Sequence, residues 1–177
     1  MAKTAGFCFG VDRAVNTVYE LVGKGERVCT LGPIIHNPQI VEELSNKGVR
    51  IVDSPAEVED GETLVIRSHG VTKAVMDECA ALGVKTVDAT CPFVSKIHKI
   101  TAEMGNDGYV TLIAGDADHQ EVIGIVGHCT GDVFVFSGPD ELEEILKNKE
   151  KIGERPVILV SQTTFNAEIF KVCEKKL

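Results

Sequence analysis

Short β-branched runs alternate with amphipathic helical stretches along the whole sequence, and this alternation narrows the possible folds more than any other feature. Val11, Ala14, Val15, Val18, Leu21 and Val22 recur at helical spacing, with Gly23 and Gly25 as stops. The strand run 27–31 follows, and then Pro38 suits the first turn of a helix carrying Ile40, Val41 and Leu44. Strand 49–52 leads into Ser54-Pro55-Ala56-Glu57, a capping-box sequence that predicts a short turn of helix. Strand 63–66, a helix from about Thr72 to Leu82 and strand 85–88 complete the first half. The second half repeats the scheme. A helix over 94–104 precedes strand 109–113, a helix starts near Gln120, and strand 133–136 precedes a helix with Leu142, Ile145 and Leu146. Strand 157–160 and a last helix from about Asn166 close the sequence.

Such alternation implies parallel strands with helices on their faces, an α/β class. The expected architecture is two similar βαβ units, 1–91 and 92–177, each with a short parallel four-stranded sheet flanked by helices. Composition excludes several functions. The 177 residues carry 18 Lys and Arg against 27 Asp and Glu, a formal charge of −9, which argues against a nucleic-acid or anionic-membrane partner. No apolar run approaches the roughly 18 residues of a membrane span, and the N-terminus lacks the apolar core of a signal peptide, so a cytoplasmic protein is expected. Six cysteines without a C-x-x-C pair read as free thiols or scattered metal ligands of a reducing compartment.

In parallel α/β sheets, ligands bind beyond the carboxyl ends of the strands. His36, His69, Cys91, His119 with Glu121, and Gln162 with Thr163 all fall there, and Cys8 lies in a glycine-bracketed turn before the first helix. Three loop histidines suit a phosphate, bound through imidazole and a hydroxyl such as that of Thr163, or a transition metal. His98 and His128 read as structural or solvated. Cys8 is either a small buried hydrophobe or a residue whose flanking Gly6 and Gly10 let the backbone approach something closely. Cys91 precedes Pro92, as thiolate ligands of iron–sulfur clusters sometimes do. Cys29 and Cys79 favour core packing, and Cys129 is ambiguous. Glu121 either complements a helix dipole or serves as a proton donor.

Taken together, residues 5–14 (AGFCFGVDRA), Ile35-His36-Asn37, Ser68-His69-Gly70-Val71, Asp88-Ala89-Thr90-Cys91-Pro92, His119-Gln120-Glu121-Val122 and Gln162-Thr163-Thr164 resemble the 4-hydroxy-3-methylbut-2-enyl diphosphate reductases. These are iron–sulfur oxidoreductases of the non-mevalonate isoprenoid pathway. The resemblance runs in order over nearly all the sequence. It implies a trefoil of three similar α/β subdomains around a cavity holding a [4Fe-4S] cluster, of which this sequence matches the first two. Cys8 and Cys91 then match two of three thiolate ligands. His36, His69 and His119 match residues that contact the diphosphate or the substrate hydroxyl, Glu121 the proton donor, and Thr163 a hydroxyl near the substrate. The implied reaction is reductive dehydroxylation of the allylic diphosphate to isopentenyl and dimethylallyl diphosphates, with electrons from a ferredoxin or flavodoxin.

Two departures from the family pattern bear on these expectations. Only Met1-Ala2-Lys3-Thr4 precede the AGFC string, so the family's first strand is expected to be clipped or missing. The third subdomain, with the third cysteine and a Ser-x-Asn group, has no counterpart up to Leu177, and Cys173 follows Thr163 too closely to be that cysteine. The alternative to an active reductase is therefore a truncated, non-catalytic diphosphate-binding fragment of the same family. A zinc hydrolase built on the histidines and Glu121 leaves the GFC and TCP strings unexplained.

Overall fold

The computed structural model describes residues 6–148 and 152–177. The chain divides into two compact units, Met1–Pro92 and Phe93–Leu177. The expected clipped strand before the GFC motif lies outside the described residues.

In the first unit α1 (Phe9–Gly23), β1 (Arg27–Leu31), α2 (Pro38–Asn46), β2 (Arg50–Val52), a 3-10 turn (Pro55–Glu57), β3 (Glu62–Ile66), α3 (Lys73–Ala81) and β4 (Lys85–Asp88) follow in order. The strands pair in the order β2-β1-β3-β4, all parallel. Side chains alternate across the sheet. Val28 and Val65 pack with Ala14, Val15, Val18 and Leu21 of α1 and with Leu44 of α2. Cys29, Leu31, Leu64 and Ile66 pack on the opposite face with Val71 and Cys79. Both faces are thus covered, and β3 is buried at every position, as a central parallel strand must be.

The second unit holds α4 (Pro92–Asn106, whose first residue belongs to the first unit), β5 (Val110–Ala114), α5 (Gln120–Val126), β6 (Val133–Phe136), α6 (Pro139–Lys147), β7 (Val157–Ser161) and α7 (Ala167–Glu174). Its strand order is β6-β5-β7, again parallel. Val110, Leu112 and Ala114 face Leu142 and Cys173, while Ile113 faces Val122 and Ile125.

The expectation of four strands in this unit is corrected: among the described residues its sheet has three. The second half carries three β-branched runs, 109–113, 133–136 and 157–160, and β5, β6 and β7 use all of them; in strand order these occupy the places of β1, β2 and β3.

Local chemistry sets the helix starts. Asn37 Oδ1 accepts from the N–H groups of Gln39 and Ile40 at 3.0 and 3.2 Å, with Pro38 in the first turn. Ser54, Thr72 and Asn166 cap the 3-10 turn, α3 and α7 in the same way.

Cys29 is fully buried, and burial pushes its thiol up to about 11 from an ordinary value of 9.0. Below pH 9 the thiol is neutral folded or unfolded and adds no pH dependence. Above it the unfolded chain ionises first, so stability falls as pH rises from about 9 to about 11. Cys29→Ala is expected to cost on the order of 1 kcal/mol in packing at neutral pH. It should also make the alkaline loss shallower, as read from urea midpoints across that window.

Candidate functional site

Because all four strands of the first sheet run parallel, their exit loops emerge along one edge, and the loops of neighbouring strands emerge side by side. His36 lies between β1 and α2, and His69 between β3 and α3; β1 and β3 are adjacent. The two imidazoles meet, with ring centroids 5.6 Å apart and planes tilted by 41°. His36 is exposed and His69 half-buried. A tight turn follows β3, in which Gly70 N–H donates to Arg67 O at 3.0 Å; its φ of +72° is one that glycine adopts without strain.

Cys91 closes the exit of β4, the strand beside β3. Its N–H donates to the carbonyl oxygen of Ser68 at 2.9 Å, which holds it against the His69 loop. Cys91 also packs on the start of α1: a Cβ at Gly10 would stand 2.7 Å from Cys91 Sγ and 2.9 Å from its Cβ. Of the two glycines bracketing Cys8, Gly10 alone is the close-approach position, since nothing lies within 4 Å of where a Cβ at Gly6 would be. Cys8 is the exposed N-cap residue of α1, and its side chain makes no capping hydrogen bond. Cys8, His36, His69 and Cys91 therefore lie along one run of contacts at the carboxyl edge of this sheet.

The other four thiols belong to the packing. Burial pushes the thiols of Cys29, Cys79, Cys129 and Cys173 up, which keeps them neutral and unsuited to ligation. Cys129, ambiguous in sequence, donates to Ile125 O at 3.3 Å.

At the second sheet's carboxyl edge, His119 is the N-cap of α5: its Nδ1 accepts from Glu121 N–H at 3.1 Å. With Nδ1 as the acceptor, the ring's donor nitrogen is Nε2. Glu121 is 2% exposed and makes no salt bridge among the described residues. Thr163, exposed at the end of β7, grips both its oxygens: the N–H donates to Oε1 at 2.6 Å and the hydroxyl to Oε2 at 2.7 Å. Gln162 braces the pair. Its Oε1 accepts from Asp116 N–H at 3.2 Å and its Nε2 donates to Thr164 Oγ1 at 2.7 Å, tying the β5 exit to the β7 exit. In the sequence Gln162 falls at a strand exit with no sign of its partners. The brace is invisible until β5 and β7 are known to be neighbours.

His98 and His128 stand apart from these groups. Their rings stack at 4.1 Å with planes 15° apart, and His98 is buried on α4, a structural pairing.

An iron–sulfur cluster takes cysteine thiolates as ligands. Cys8 and Cys91 fit that demand by donor type, by accessibility and by the notch at Gly10 that seats one sulfur at the head of the helix the other caps. Among the described residues no group of three or more His, Cys, Asp or Glu side chains is gathered as a metal site.

The sequence profile of the family described as LytB protein matches residues 1–177. The 4-hydroxy-3-methylbut-2-enyl diphosphate reductase of Geotalea daltonii is 43% identical over 168 residues, covering 95% of this chain and 57% of its own. The protein of that name from Geobacter sulfurreducens is 42% identical over 171 residues, with coverages of 97% and 58%. A solved structure of (E)-4-hydroxy-3-methyl-but-2-enyl diphosphate reductase, the terminal enzyme of the non-mevalonate pathway, matches 99% of this chain and 61% of its own, with a TM-score of 0.83 at 38% identity. That of E-1-hydroxy-2-methyl-but-2-enyl-4-diphosphate reductase from Plasmodium falciparum matches 99% and 54%, with a TM-score of 0.85 at 25% identity. The chain thus spans somewhat more than half the length of these relatives. With a match over its whole sequence, and the likeness of its α/β fold to solved reductases, the chain belongs to the LytB family.

Proposed function

We propose that this chain carries the substrate-binding and proton-donating residues of a 4-hydroxy-3-methylbut-2-enyl diphosphate reductase, together with two cysteine ligands of its [4Fe-4S] cluster. The observation that carries the reading is the Glu121–Thr163 couple: a buried carboxyl in no ion pair among the described residues, joined through both oxygens to a threonine exposed at a strand exit. Removing an allylic hydroxyl reductively consumes two electrons and two protons and releases water. A bound cluster would supply the electrons one at a time, drawn from an external donor of the ferredoxin or flavodoxin kind.

The chain's own residues handle the anion and the proton. His36 and His69 present two imidazoles at one edge, and His119 holds a ring proton on Nε2, so each can donate to a diphosphate oxygen. The proton path follows from the couple. With Glu121 protonated at Oε2, its O–H donates to Thr163 Oγ1, and the threonine hydroxyl is freed to donate outward to the leaving oxygen. The N–H of Thr163 keeps Oε1 in place throughout. Six free thiols suit a reducing, cytoplasmic setting, and among the described residues no helix is long and apolar enough to cross a membrane.

Glu121→Gln separates proton supply from folding. The amide keeps a carbonyl oxygen for Thr163 N–H and puts an NH2 where Oε2 was, able to donate to the threonine hydroxyl. The variant is expected to reconstitute with iron and sulfide as the parent chain does, judged by visible absorption. Its turnover of the allylic diphosphate with reduced methyl viologen should fall by about a hundredfold or more. Turnover near the parent level would remove Glu121 from the role.

Calorimetry with inorganic diphosphate tests the anion site. His36→Ala combined with His69→Ala should weaken binding by about tenfold to a hundredfold, the loss of one or two charge-assisted hydrogen bonds. Binding that persists in a chain acquiring no cluster absorption assigns it to the non-catalytic fragment reading, and absence of binding overturns both readings.

A further inference from the structure

Cys8 and Cys91 stand on different segments, so any geometry the two sulfurs share depends on what ties α1 to the exit of β4. Arg13 makes that tie. Its Nη1 donates to the carbonyl oxygen of Thr90 at 2.9 Å, and its Nη2 reaches the carbonyl oxygen of Asp88 at 3.4 Å. The receiving segment is itself rigid. Asp88 Oδ1 accepts from Thr90 N–H at 2.8 Å and from the Thr90 hydroxyl. Ala89 N–H donates to Ile66 O at 3.1 Å and Cys91 N–H to Ser68 O at 2.9 Å. Ala89 and Thr90 are buried, so the guanidinium meets a carbonyl largely withdrawn from competing water.

On α1, Arg13 and Gly10 stand three positions apart and so share a face. One face of the helix therefore offers a donor fork to Thr90 and a notch to the next residue, Cys91. Cys8 is fixed to the same helix by its own carbonyl, which accepts Asp12 N–H at 2.9 Å.

We propose that Arg13 is a positioning residue for the Cys8–Cys91 pair: by clamping residues 88–90 against α1, with Gly10 as the seat for Cys91 Sγ, it sets the two thiols for joint ligation of one metal centre. This rests on the two-thiolate reading given above. Lysine is a poor substitute, because one ammonium on a flexible stem cannot span two carbonyls as a planar fork does.

Anaerobic titration of the full chain with Cd2+, followed by cadmium–thiolate absorption, tests the clamp without a cluster or turnover. The parent chain is expected to bind Cd2+ at a site that Cys8→Ala and Cys91→Ala each weaken. Arg13→Met should weaken that site by roughly 10–100-fold, the usual effect of losing a residue that holds a ligand in place, and Arg13→Lys should recover part of the loss. Gly10→Ala, which leaves the charge alone but crowds Cys91 Sγ, should weaken it as well. In a Cys8→Ala background Arg13→Met should cost nothing further, because no pair remains to be aligned. Thermal melts identify unfolded variants, and Arg13→Lys and Gly10→Ala carry the same comparison should Arg13→Met not fold. Parental affinity in the Arg13 and Gly10 variants overturns the inference, as does an Arg13→Met loss of equal size with and without Cys8. A parental Cd2+ site indifferent to Cys8 overturns the two-thiolate reading itself, and the inference with it.

Discussion

The parallel run of the strands is the constraint on which the site depends. A crossover helix must return the chain to the same end of the sheet before each new strand, so every strand exit falls on one edge. Burying both faces makes this arrangement stable. Leu64, Val65 and Ile66, and likewise Leu112, Ile113 and Ala114, have no exposed surface. Side chains with chemistry then have little place within the strands and collect in the loops at their ends. His36, His69 and Cys91 follow three strands of one sheet; His119 and Thr163 follow two of the other. Cys8 joins them by a different route, as the cap of a helix whose first turn packs on Cys91.

The elements were readable in the sequence because each carries its own local signal. Period-3.6 patterning marked α1, Pro38 marked α2, and the β-branched runs fell on the observed strands to within a residue or two. The fourth strand expected of the second unit went wrong because it was carried over by analogy with the first, with no β-branched run of its own behind it. Strand order was not readable, and with it went every pairing in the site. His36 meets His69 because β1 lies beside β3, and Gln162 braces the β5 loop because β7 lies beside β5. Neither neighbour relation is sequential. Glycines on both sides of Cys8 suggested a close approach, but only the fold shows that Gly10 makes it and that Cys91 is what it approaches.

A formal charge of −9 describes this chain badly at the scale of its site. In the first unit much of the acidity is spent at the amino edge of the sheet, opposite the histidines. Arg50 meets Glu62 at 3.0 Å and Glu59 at 2.9 Å, Arg27 meets Glu59 at 2.5 Å, and Lys85 meets Glu26 at 2.6 Å. Glu62 is buried, and Glu59 N–H gives it a further hydrogen bond at 2.9 Å, so its charge is answered locally. The carboxyl edge carries the imidazoles of His36 and His69 and the Arg13 fork, with Asp53 and Asp88 at the exits of β2 and β4; Asp88 is turned onto Thr90, from whose N–H and hydroxyl it accepts. The two edges lie a strand length apart, about 17 Å for five residues, which exceeds the roughly 8 Å over which salt screens exposed charges at physiological ionic strength. A diphosphate bound at the loop edge, as proposed above, would meet a field set by these nearby groups, and the ion-paired edge behind them would contribute little. Separation along the strand axis thus uncouples the ion pairs of one edge from the loops of the other.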